Sequence, residues 1–238
     1  AIAAIMSDDT HEDRRLMDKT SAKTVKQELQ DWRESMSVKQ ARMRCKIGSH
    51  GYSMASFSSG GCLDTFAAIK SGFVPQWGTE IDEQRSKMFE DMTNKKCLGD
   101  TFTTSFKGKS VRLLWSGQPC PDHSSSHQGR NPPGRAGKTG WMYVAQADKI
   151  LEVSPDSFAL EMVMNVLKVD GGKAVEELME RLGSKYIMHI GQVCCAAYGD
   201  ASARWRLIIV GFNKDTTNRE AANNYRFPAA TYDSNRFH

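Results

Sequence analysis

A cysteine held between two prolines is the first residue in this sequence whose setting suggests chemistry. Cys120 follows the apolar segment VRLLW after four residues, and Pro119 and Pro121 stiffen the backbone on either side of it. A thiol fixed at a strand end is a candidate nucleophile whose reactivity depends on its thiolate fraction. His123 and His127 lie nearby, but a second cysteine pair at zinc-ligand spacing is missing, so we expect no bound metal.

Charged side chains at two later points could act on the same substrate. Glu161 lies inside the apolar segment FALEMV, where ionisation of a carboxylate is costly, so we expect it to serve as a proton donor. The structural alternative is an outward-facing residue on an edge strand. Arg204 and Arg206 alternate at the start of the segment RLIIVGF, so they should point to one face and could clamp a carboxylate, a phosphate or a base carbonyl.

Polar or flexible residues also follow three successive strand and helix candidates. Gly60 and Gly61 lie where the first strand gives way to a helix, so backbone N–H groups can approach a ligand closely there. Glu80 follows the second strand, where its carboxylate could accept both hydroxyls of a ribose, and Asp100 follows the next helix. Each acid alone could be an exposed loop residue, but the three groups in order predict a nucleoside-binding cleft.

A segment rich in glycine and proline, SSSHQGRNPPGRAGKTG at positions 124–140, contains no large apolar side chain. This composition predicts a mobile surface loop. The loop carries Arg130, Arg135 and Lys138 without an acidic residue, which favours contact with phosphate. A solvated loop without a ligand explains the charge alone equally well.

These residues need a scaffold, and short strand-like segments alternate with amphipathic ones from residue 52 onwards. The alternation predicts an α/β fold with a mostly parallel central sheet, helices on both faces, and ligands at the carboxyl ends of the strands. The strand candidates are 52–57, 73–79, 111–115, 157–163, 186–196 and 206–212, and the helix candidates are 62–71, 81–92, 142–151 and 173–182.

Composition supports one globular domain with short additions. The 238 residues include 39% hydrophobic and 25% charged residues, which suits a sizeable core and excludes general disorder. We divide the chain into a polar helical N-terminal extension at 1–49, a main domain at 50–213 and a tail at 214–238. The net charge of +4 permits a polyanionic partner without requiring one.

Several patterns bear on the compartment of the protein. No apolar run approaches the roughly 20 residues that cross a bilayer, so we expect no membrane association. The opening segment AIAAIM lacks a preceding basic region, which argues against a secretory signal. The six cysteines are scattered and suit reduced thiols. We therefore expect an intracellular protein, nuclear in a eukaryote and cytoplasmic in a bacterium or virus.

Five segments between Met54 and Phe212, taken in order, resemble the motifs of the cytosine-5 methyltransferases. PCPDHS resembles the nucleophile motif, FALEMV the Glu-Asn-Val motif, and YGDASARWRLIIVG the Gln-x-Arg-x-Arg motif. FSSGGCLD and WGTEID resemble the first and second cofactor motifs. The resemblance implies a Rossmann-like methyltransferase fold, S-adenosylmethionine as cofactor, and methylation of carbon 5 of cytosine in DNA, with RNA as a possible substrate.

The resemblance also implies roles for individual residues. Cys120 would add to carbon 6 of a flipped cytosine, and Glu161 would protonate nitrogen 3. Arg204 would hold the base edge and the Cys120 loop, and Arg206 would belong to the same catalytic set. The cofactor pocket would contain Phe57, Gly60, Gly61, Leu63, Glu80, Ile81, Asp100, Thr101, Pro119 and Met142. Nucleic-acid contacts would come from Ser124, Arg130, Arg135 and Lys138.

The sequence departs from the family pattern at several positions. Ser59 and Cys62 stand where glycines are usual, Met162 replaces the asparagine after the glutamate, and Ser202 replaces the glutamine before the arginines. The family continues into a target-recognition domain and a final cofactor motif, neither of which is visible before His238, so we expect a further domain or second subunit to supply them. The alternatives are a tRNA cytosine-5 methyltransferase and a catalytically impaired nucleic-acid-binding module.

Overall fold

Apolar segments of five to nine residues form one six-stranded sheet, and the segments between them supply the helices. The structure is a computed structural model that describes residues 51–119, 121–123 and 134–231, without the side chain of Arg135. The strands are β1 (Ser53–Phe57), β2 (Val74–Gly78), β3 (Leu113–Gly117), β4 (Ser157–Val163), β5 (Tyr186–Cys194) and β6 (Trp205–Asn213). The helices are α1 (Leu63–Lys70), α2 (Glu83–Thr93), α3 (Met142–Val153), α4 (Lys173–Gly183) and α5 (Arg219–Asn223).

The sheet has the order β2-β1-β3-β4-β6-β5. Three neighbouring pairs are parallel, β1 with β2, β1 with β3, and β3 with β4, whereas β6 pairs antiparallel with both β4 and β5. Because the chain runs from β1 to β2 on one side and returns to β3 on the other, the strand order reverses beside β1. A crevice at the carboxyl ends of such strands is where open α/β sheets bind ligands.

The two faces of the sheet are covered by different helices. Ala55 and Phe57 of β1 belong to the main core, which α3 and α4 cover, whereas the side chain of Ser56 reaches Asp64 on α1. Since alternate residues of a strand point to opposite faces, α1 lies on the face opposite α3 and α4. A smaller apolar cluster joins α1 and α2 on that second face, and it includes Cys62, Phe66, Ile69, Phe89, Met92 and Cys97.

The main core explains why α3 and α4 pack against the sheet. In α4, Ala174, Leu178 and Leu182 recur every four residues and are buried, which places one apolar stripe against its neighbours. Fully burying a side chain such as Leu178 contributes roughly 1.5–3 kcal/mol. The sheet side of this core includes Leu114, Phe158, Leu160, Met162, Leu207 and Ile209.

Two glycines in the last two strands carry aromatic rings directly against the backbone. A Cβ atom added at Gly211 would lie 2.2 Å from the Phe158 ring, and one added at Gly191 would lie 2.6 Å from the Phe227 ring. The two rings lie on opposite faces, because Gly191 pairs with Ile208, an odd number of residues from Gly211. Neither glycine can be replaced without displacing a ring.

The chain after β6 returns to the edge strand β5. His189 Nε2 on β5 lies 2.8 Å from the carbonyl oxygen of Ala222 in α5, and the Tyr198 hydroxyl donates to the carbonyl of Pro228 over 2.8 Å. The first part of the predicted tail therefore packs on the sheet. The division into three segments stays a prediction, since residues 1–49 lie outside the described part of the chain.

The predicted α/β class with a mostly parallel sheet is confirmed, and each strand and helix predicted from residue 52 onwards is present with bounds shifted by at most two residues. The antiparallel position of β6 differs from the parallel pattern. The connection from β5 to β6 contains only a short 3-10 turn, Cys195–Tyr198, and is too short for the crossover that a parallel pair needs. Within the described ranges, no helix has the length and apolar character to span a membrane.

Candidate active site

The carboxyl ends of β1, β2 and β3 border a cavity of about 440 Å³, here called the strand-end cavity. This volume falls in the range of pockets that hold small ligands. Seven of the ten positions predicted to bind a cofactor line it, namely Gly60, Glu80, Ile81, Asp100, Thr101, Pro119 and Met142. The reversal of strand order beside β1 therefore brings residues from five separate segments to one place.

Glu80 organises the floor of the strand-end cavity through its carboxylate. Oε2 accepts a hydrogen bond from the backbone N–H of Gly60 at 2.8 Å, and Oε1 accepts from Ile81 at 2.9 Å and Asp82 at 3.1 Å. A carboxylate has about four acceptor sites, so three bonds leave room for about one more donor. A single ligand hydroxyl could bind without breaking these contacts, whereas a second would compete with the Gly60 N–H.

The loop that follows β1 is held in a strained conformation by side chains from neighbouring strands. Ser58 has a φ angle of 51°, a value that residues with a side chain seldom adopt. Its backbone N–H donates to Thr79 Oγ1 over 3.1 Å, and its hydroxyl donates to Gln118 Oε1 over 3.0 Å. Cys62 has a φ of 59°, which explains why glycine is favoured at this position in the related motif.

One wall of the strand-end cavity comes from the segment that carries Asp100, which is joined to the sheet by a single β-bridge and not by a full strand. Cys97 makes an isolated parallel bridge with Gly78, so the segment carrying Asp100 is placed beside β2. Asp100 Oδ1 accepts from the backbone N–H of Phe102 at 2.9 Å. The Phe102 ring in turn packs edge-on against Trp141, with centroids 4.8 Å apart.

A second cavity of about 660 Å³, here called the α1 cavity, lies between α1 and the central strands β3 and β4. Two further predicted cofactor positions, Gly61 and Leu63, line this cavity rather than the first. Glu161 lines it as well. Gly60 and Gly117 border both cavities, so the carboxyl ends of β1 and β3 form the boundary between them.

Glu161 lies on β4 directly opposite Gly117 on β3. A Cβ atom at position 117 would lie 3.4 Å from Glu161 Oε2, an ordinary contact distance, so Gly117 and the carboxylate are close neighbours at the α1 cavity. Because β4 lies between β3 and β6, the edge-strand alternative for Glu161 is wrong. Its side chain is 28% exposed, so the surroundings are less apolar than the segment FALEMV predicts.

Both predicted arginines face this carboxylate, as their alternation predicts. Arg206 Nε is in close contact with Glu161 Oε1, and the Arg206 side chain is 20% exposed. Arg204 Nη2 lies 3.5 Å from the same oxygen, but the Arg204 side chain is 57% exposed. Arg206 is therefore tied to the carboxylate, whereas Arg204 keeps most of its donors available to another group.

A second acid, Asp64, lines the α1 cavity at the start of α1. Burial raises the pKa of the Asp64 carboxyl, and a short hydrogen bond from the Ser56 hydroxyl only partly opposes the effect. Burial, assisted by Asp64, also raises the pKa of the Cys62 thiol to about 12. The Cys62 thiol is therefore an unreactive group at neutral pH.

The predicted nucleophile Cys120 lies outside the described residues, but its two proline neighbours are described. Pro119 lines the strand-end cavity, and Pro121 begins a short 3-10 turn. The next residue, Asp122, accepts hydrogen bonds from the backbone N–H of Thr139 at 2.5 Å and from its hydroxyl at 2.7 Å. This contact joins the 3-10 turn after Cys120 to Thr139, near the start of α3.

The nearby histidine serves as a packing residue. His123 is buried, its ring packs 5.1 Å from the Tyr143 ring, and its Nε2 lies 3.3 Å from the carbonyl oxygen of Gly140. Asn165 donates to the backbone carbonyl of His123 over 3.0 Å. Across the residues that the structure describes, no three His, Cys, Asp or Glu side chains are grouped as a metal site.

The structure does not bring every predicted site residue to a cavity. Phe57 is fully buried, with its ring 5.0 Å from Phe106, because it faces the main core on β1. Lys138 is exposed, and its carbonyl accepts a bond from Trp141. Of the other predicted nucleic-acid contacts, Ser124 and Arg130 lie outside the described residues, as does the side chain of Arg135.

Six further residues that the sequence reasoning did not select also line the strand-end cavity. Most are immediate neighbours of selected positions, and that adjacency was the available signal. Phe102 follows Thr101, and Gln118 precedes Pro119. The six are Ser58, Asp82, Arg85, Phe102, Gly117 and Gln118.

Comparison with known proteins relates the whole described domain to one family. The family model for C-5 cytosine-specific DNA methylases matches residues 54–236. The chain is 26% identical over 174 residues to the type II methyltransferase M.BspRI of Lysinibacillus sphaericus. That match covers 71% of the chain but only 39% of the relative.

Two solved structures share the fold. A prophage-encoded E. coli protein described as a DNA modification methyltransferase superposes with a TM-score of 0.57 at 16% identity, over 71% of this chain and 50% of that one. The S. pombe Dnmt2 methyltransferase superposes with a TM-score of 0.51 at 12% identity, over 70% of this chain and 50% of that one. The chain thus matches half or less of the length of these relatives.

Proposed function

This chain belongs to the family of C-5 cytosine-specific DNA methylases, and from that premise we propose that it methylates carbon 5 of cytosine in DNA, with S-adenosylmethionine as the methyl donor. The observation that carries the proposal is the boundary between the two cavities. There, Gly117 of β3 borders the strand-end cavity and pairs with Glu161, which faces its two arginines. The chain leads from the end of β3 directly into the segment of Cys120.

The strand-end cavity fits a nucleoside-containing cofactor. Glu80 keeps about one acceptor site for a ribose hydroxyl, and Asp100 lines the same cavity, where its carboxylate would accept a hydrogen bond from an amino group. Ile81 and Met142 supply apolar contacts for a flat ring. When bound, S-adenosylmethionine would supply an electrophilic methyl group to carbon 5 of the base.

The residues of the chain would activate the base for that methyl group. Carbon 5 of cytosine is a poor nucleophile until the Cys120 thiolate forms a bond to carbon 6. Glu161 would deliver a proton to nitrogen 3 as the ring accepts the electron pair. A base then removes the proton from carbon 5, and the electron pair of that bond forms the carbon 5–carbon 6 double bond as the bond from sulfur to carbon 6 breaks. Nitrogen 3 returns its proton to Glu161, and the Cys120 thiolate is regenerated.

The two arginines would divide the remaining work between them. Arg206 is bound to Glu161 and would fix the position of that carboxyl group. Arg204 is mostly exposed and would contact the base edge or the nucleic acid. Since carbon 6 is inaccessible within a stacked duplex, the cytosine must be flipped out, at a cost of a few kcal/mol.

The direct test is transfer of a labelled methyl group to DNA, compared with transfer to tRNA. We expect label in DNA, and label only in tRNA would redirect the proposal to an RNA substrate. A duplex containing 5-fluorocytosine should trap a denaturant-resistant adduct, because fluorine cannot leave carbon 5 as a proton does. Cys120→Ser should abolish the adduct and preserve binding of S-adenosylhomocysteine.

Cys195→Ser is the matched control, since Cys195 is a partly exposed free cysteine at the far end of β5. This variant should form the adduct as the native chain does. If the native chain does not bind S-adenosylhomocysteine, the proposed function is wrong. If it binds S-adenosylhomocysteine and DNA but transfers no methyl group, the chain acts as a binding module.

A further inference from the structure

Gln118 is a buried amide on the wall of the strand-end cavity. Its side chain is 4% exposed. Oε1 accepts a hydrogen bond from the Ser58 hydroxyl at 3.0 Å, and Nε2 makes a longer contact of 3.4 Å with Ser116 Oγ. The shorter of the two hydrogen bonds therefore joins Gln118 to the loop after β1, and the longer one joins it to β3, which Gln118 follows.

The bond joins the two segments on which the proposed chemistry depends. On one side, Ser58 lies in the strained loop that borders both cavities and leads to Gly60. On the other side, Gln118 follows β3 directly and precedes Cys120 by two residues. Among the hydrogen bonds within the described residues, this one connects the side chains of these two segments.

A ligand in the strand-end cavity would contact both ends of this bond, because Ser58 and Gln118 both line it. Any shift of the loop after β1 would be transmitted to position 118 through the amide. Since Pro119 restricts the backbone between the amide and Cys120, little of that shift can be absorbed locally. A packing role alone would need neither the polar bond nor its placement on the cavity wall.

On the basis of the proposed function, we infer that Gln118 is a positioning residue that couples occupancy of the cofactor cavity to the presentation of Cys120. The bond from Ser58 transmits the state of the loop after β1 to the segment that bears the nucleophile.

The coupling can be measured without DNA and without turnover. The full chain is treated with iodoacetamide with and without saturating S-adenosylhomocysteine, and alkylation of the Cys120 peptide is followed by mass spectrometry. In the native chain the ligand should change the alkylation rate by about fivefold or more, the lower end of usual coupling. In Gln118→Met, which keeps the length but removes the hydrogen bond, the two rates should agree within about twofold while the ligand still binds.

Two further variants separate the hydrogen bond from packing. Ser58→Ala removes the same bond from the other side, so it should abolish the ligand effect even if Gln118→Met fails to fold. Gln118→Glu keeps an acceptor for the Ser58 hydroxyl and should retain the ligand effect. Gln146→Met is the matched control, because Gln146 is a buried amide on α3 that lines neither cavity, and it should behave as the native chain.

Each outcome separates this inference from the proposed function. If the native chain binds S-adenosylhomocysteine but alkylation of Cys120 does not respond, the coupling is absent and the proposed function stands. The inference is also overturned if Gln118→Met or Ser58→Ala keeps the native response. If the native chain does not bind S-adenosylhomocysteine at all, the proposed function fails and the inference fails with it.

Discussion

Replacing Arg206 with methionine should damage the candidate site far more than the same replacement of Arg204. Both guanidinium groups face Oε1 of Glu161, but Arg206 is 20% exposed and in close contact, whereas Arg204 is 57% exposed and 3.5 Å away. Methionine retains much of the apolar stem of arginine, so each variant removes mainly the charged head. The two variants thus distinguish the arginine that positions the carboxyl group from the one that is available to a substrate.

The exposure of each pair sets the expected magnitude. Breaking a fully buried ion pair costs about 3–5 kcal/mol, whereas an exposed ion pair contributes about 0.2–1 kcal/mol. The Arg206 pair is partly buried, so we take about 2 kcal/mol; a tenfold change per 1.4 kcal/mol then gives a decrease in kcat of roughly 30-fold if the ion pair holds the carboxyl group in its working position. For Arg204, we expect a loss of unfolding free energy below about 1 kcal/mol and a raised KM for DNA.

The assay is steady-state methyl transfer with DNA as the varied substrate, together with urea unfolding of each variant. Lys87→Met is the control, because Lys87 and Asp91 form a pair at 3.3 Å on α2 with side chains 76% and 67% exposed. Its unfolding free energy should change by less than about 0.5 kcal/mol. Equal losses of kcat in Arg204→Met and Arg206→Met would refute the division of roles between the two arginines.

Three other substitutions test the surroundings of the cavities. Glu80→Gln should weaken S-adenosylhomocysteine binding by about tenfold or more in calorimetry, because an amide cannot accept all three backbone N–H bonds. Asp64→Asn should raise the unfolding free energy at pH 7, because the raised pKa means that the folded state opposes ionisation, and the gain should vanish near about pH 3, where the carboxyl is protonated in both states. Since folding raises the pKa of Cys62 from 9.0 to about 12, native stability should fall as pH rises above 9, and Cys62→Ala should reduce that fall in thermal unfolding.

The controls for these substitutions lie on α2 and at the end of β5. Asp91→Asn, at an exposed acid, should give no gain at pH 7, and an equal gain would show that Asp64 burial is not the cause. Cys195→Ala removes the partly exposed cysteine at the far end of β5, and an equal reduction of the alkaline decline in that variant would show that burial of Cys62 is not the cause. Native affinity in Glu80→Gln would contradict the assigned contacts of that carboxylate.

Strand and helix positions could be predicted from the sequence because each element is encoded locally. The segment SFALEMV has the apolar length of a strand, and it forms β4 with the predicted bounds. The antiparallel β6 was predictable in principle, because the segment between residues 194 and 205 is too short for a crossover helix. Extending the alternation of strands and helices to the end of the domain predicts a parallel β6, but no α-helix lies in the described segment between β5 and β6.

The site itself depends on contacts that local patterns do not contain. The segment FALEMV indicates apolar surroundings for Glu161, but the partner guanidiniums come from a strand more than 40 residues later. Similarly, alternation along β1 indicates that Phe57 and Ser56 face opposite sides, but only the packing of α3 and α4 decides which side is the core. The bond between Ser58 and Gln118 exists only once β3 lies beside β1.

The two bare glycines of the final hairpin have a consequence for strand alignment. Sliding β5 by one position would bring Ile190 or Gln192 under the Phe227 ring, which now rests on Gly191. Sliding β6 past β4 by one position would likewise bring Val210 or Phe212 under the Phe158 ring, which now rests on Gly211. Each ring therefore favours one strand alignment, and the alignment of β4 with β6 is the one that places Glu161 on the same face as Arg206.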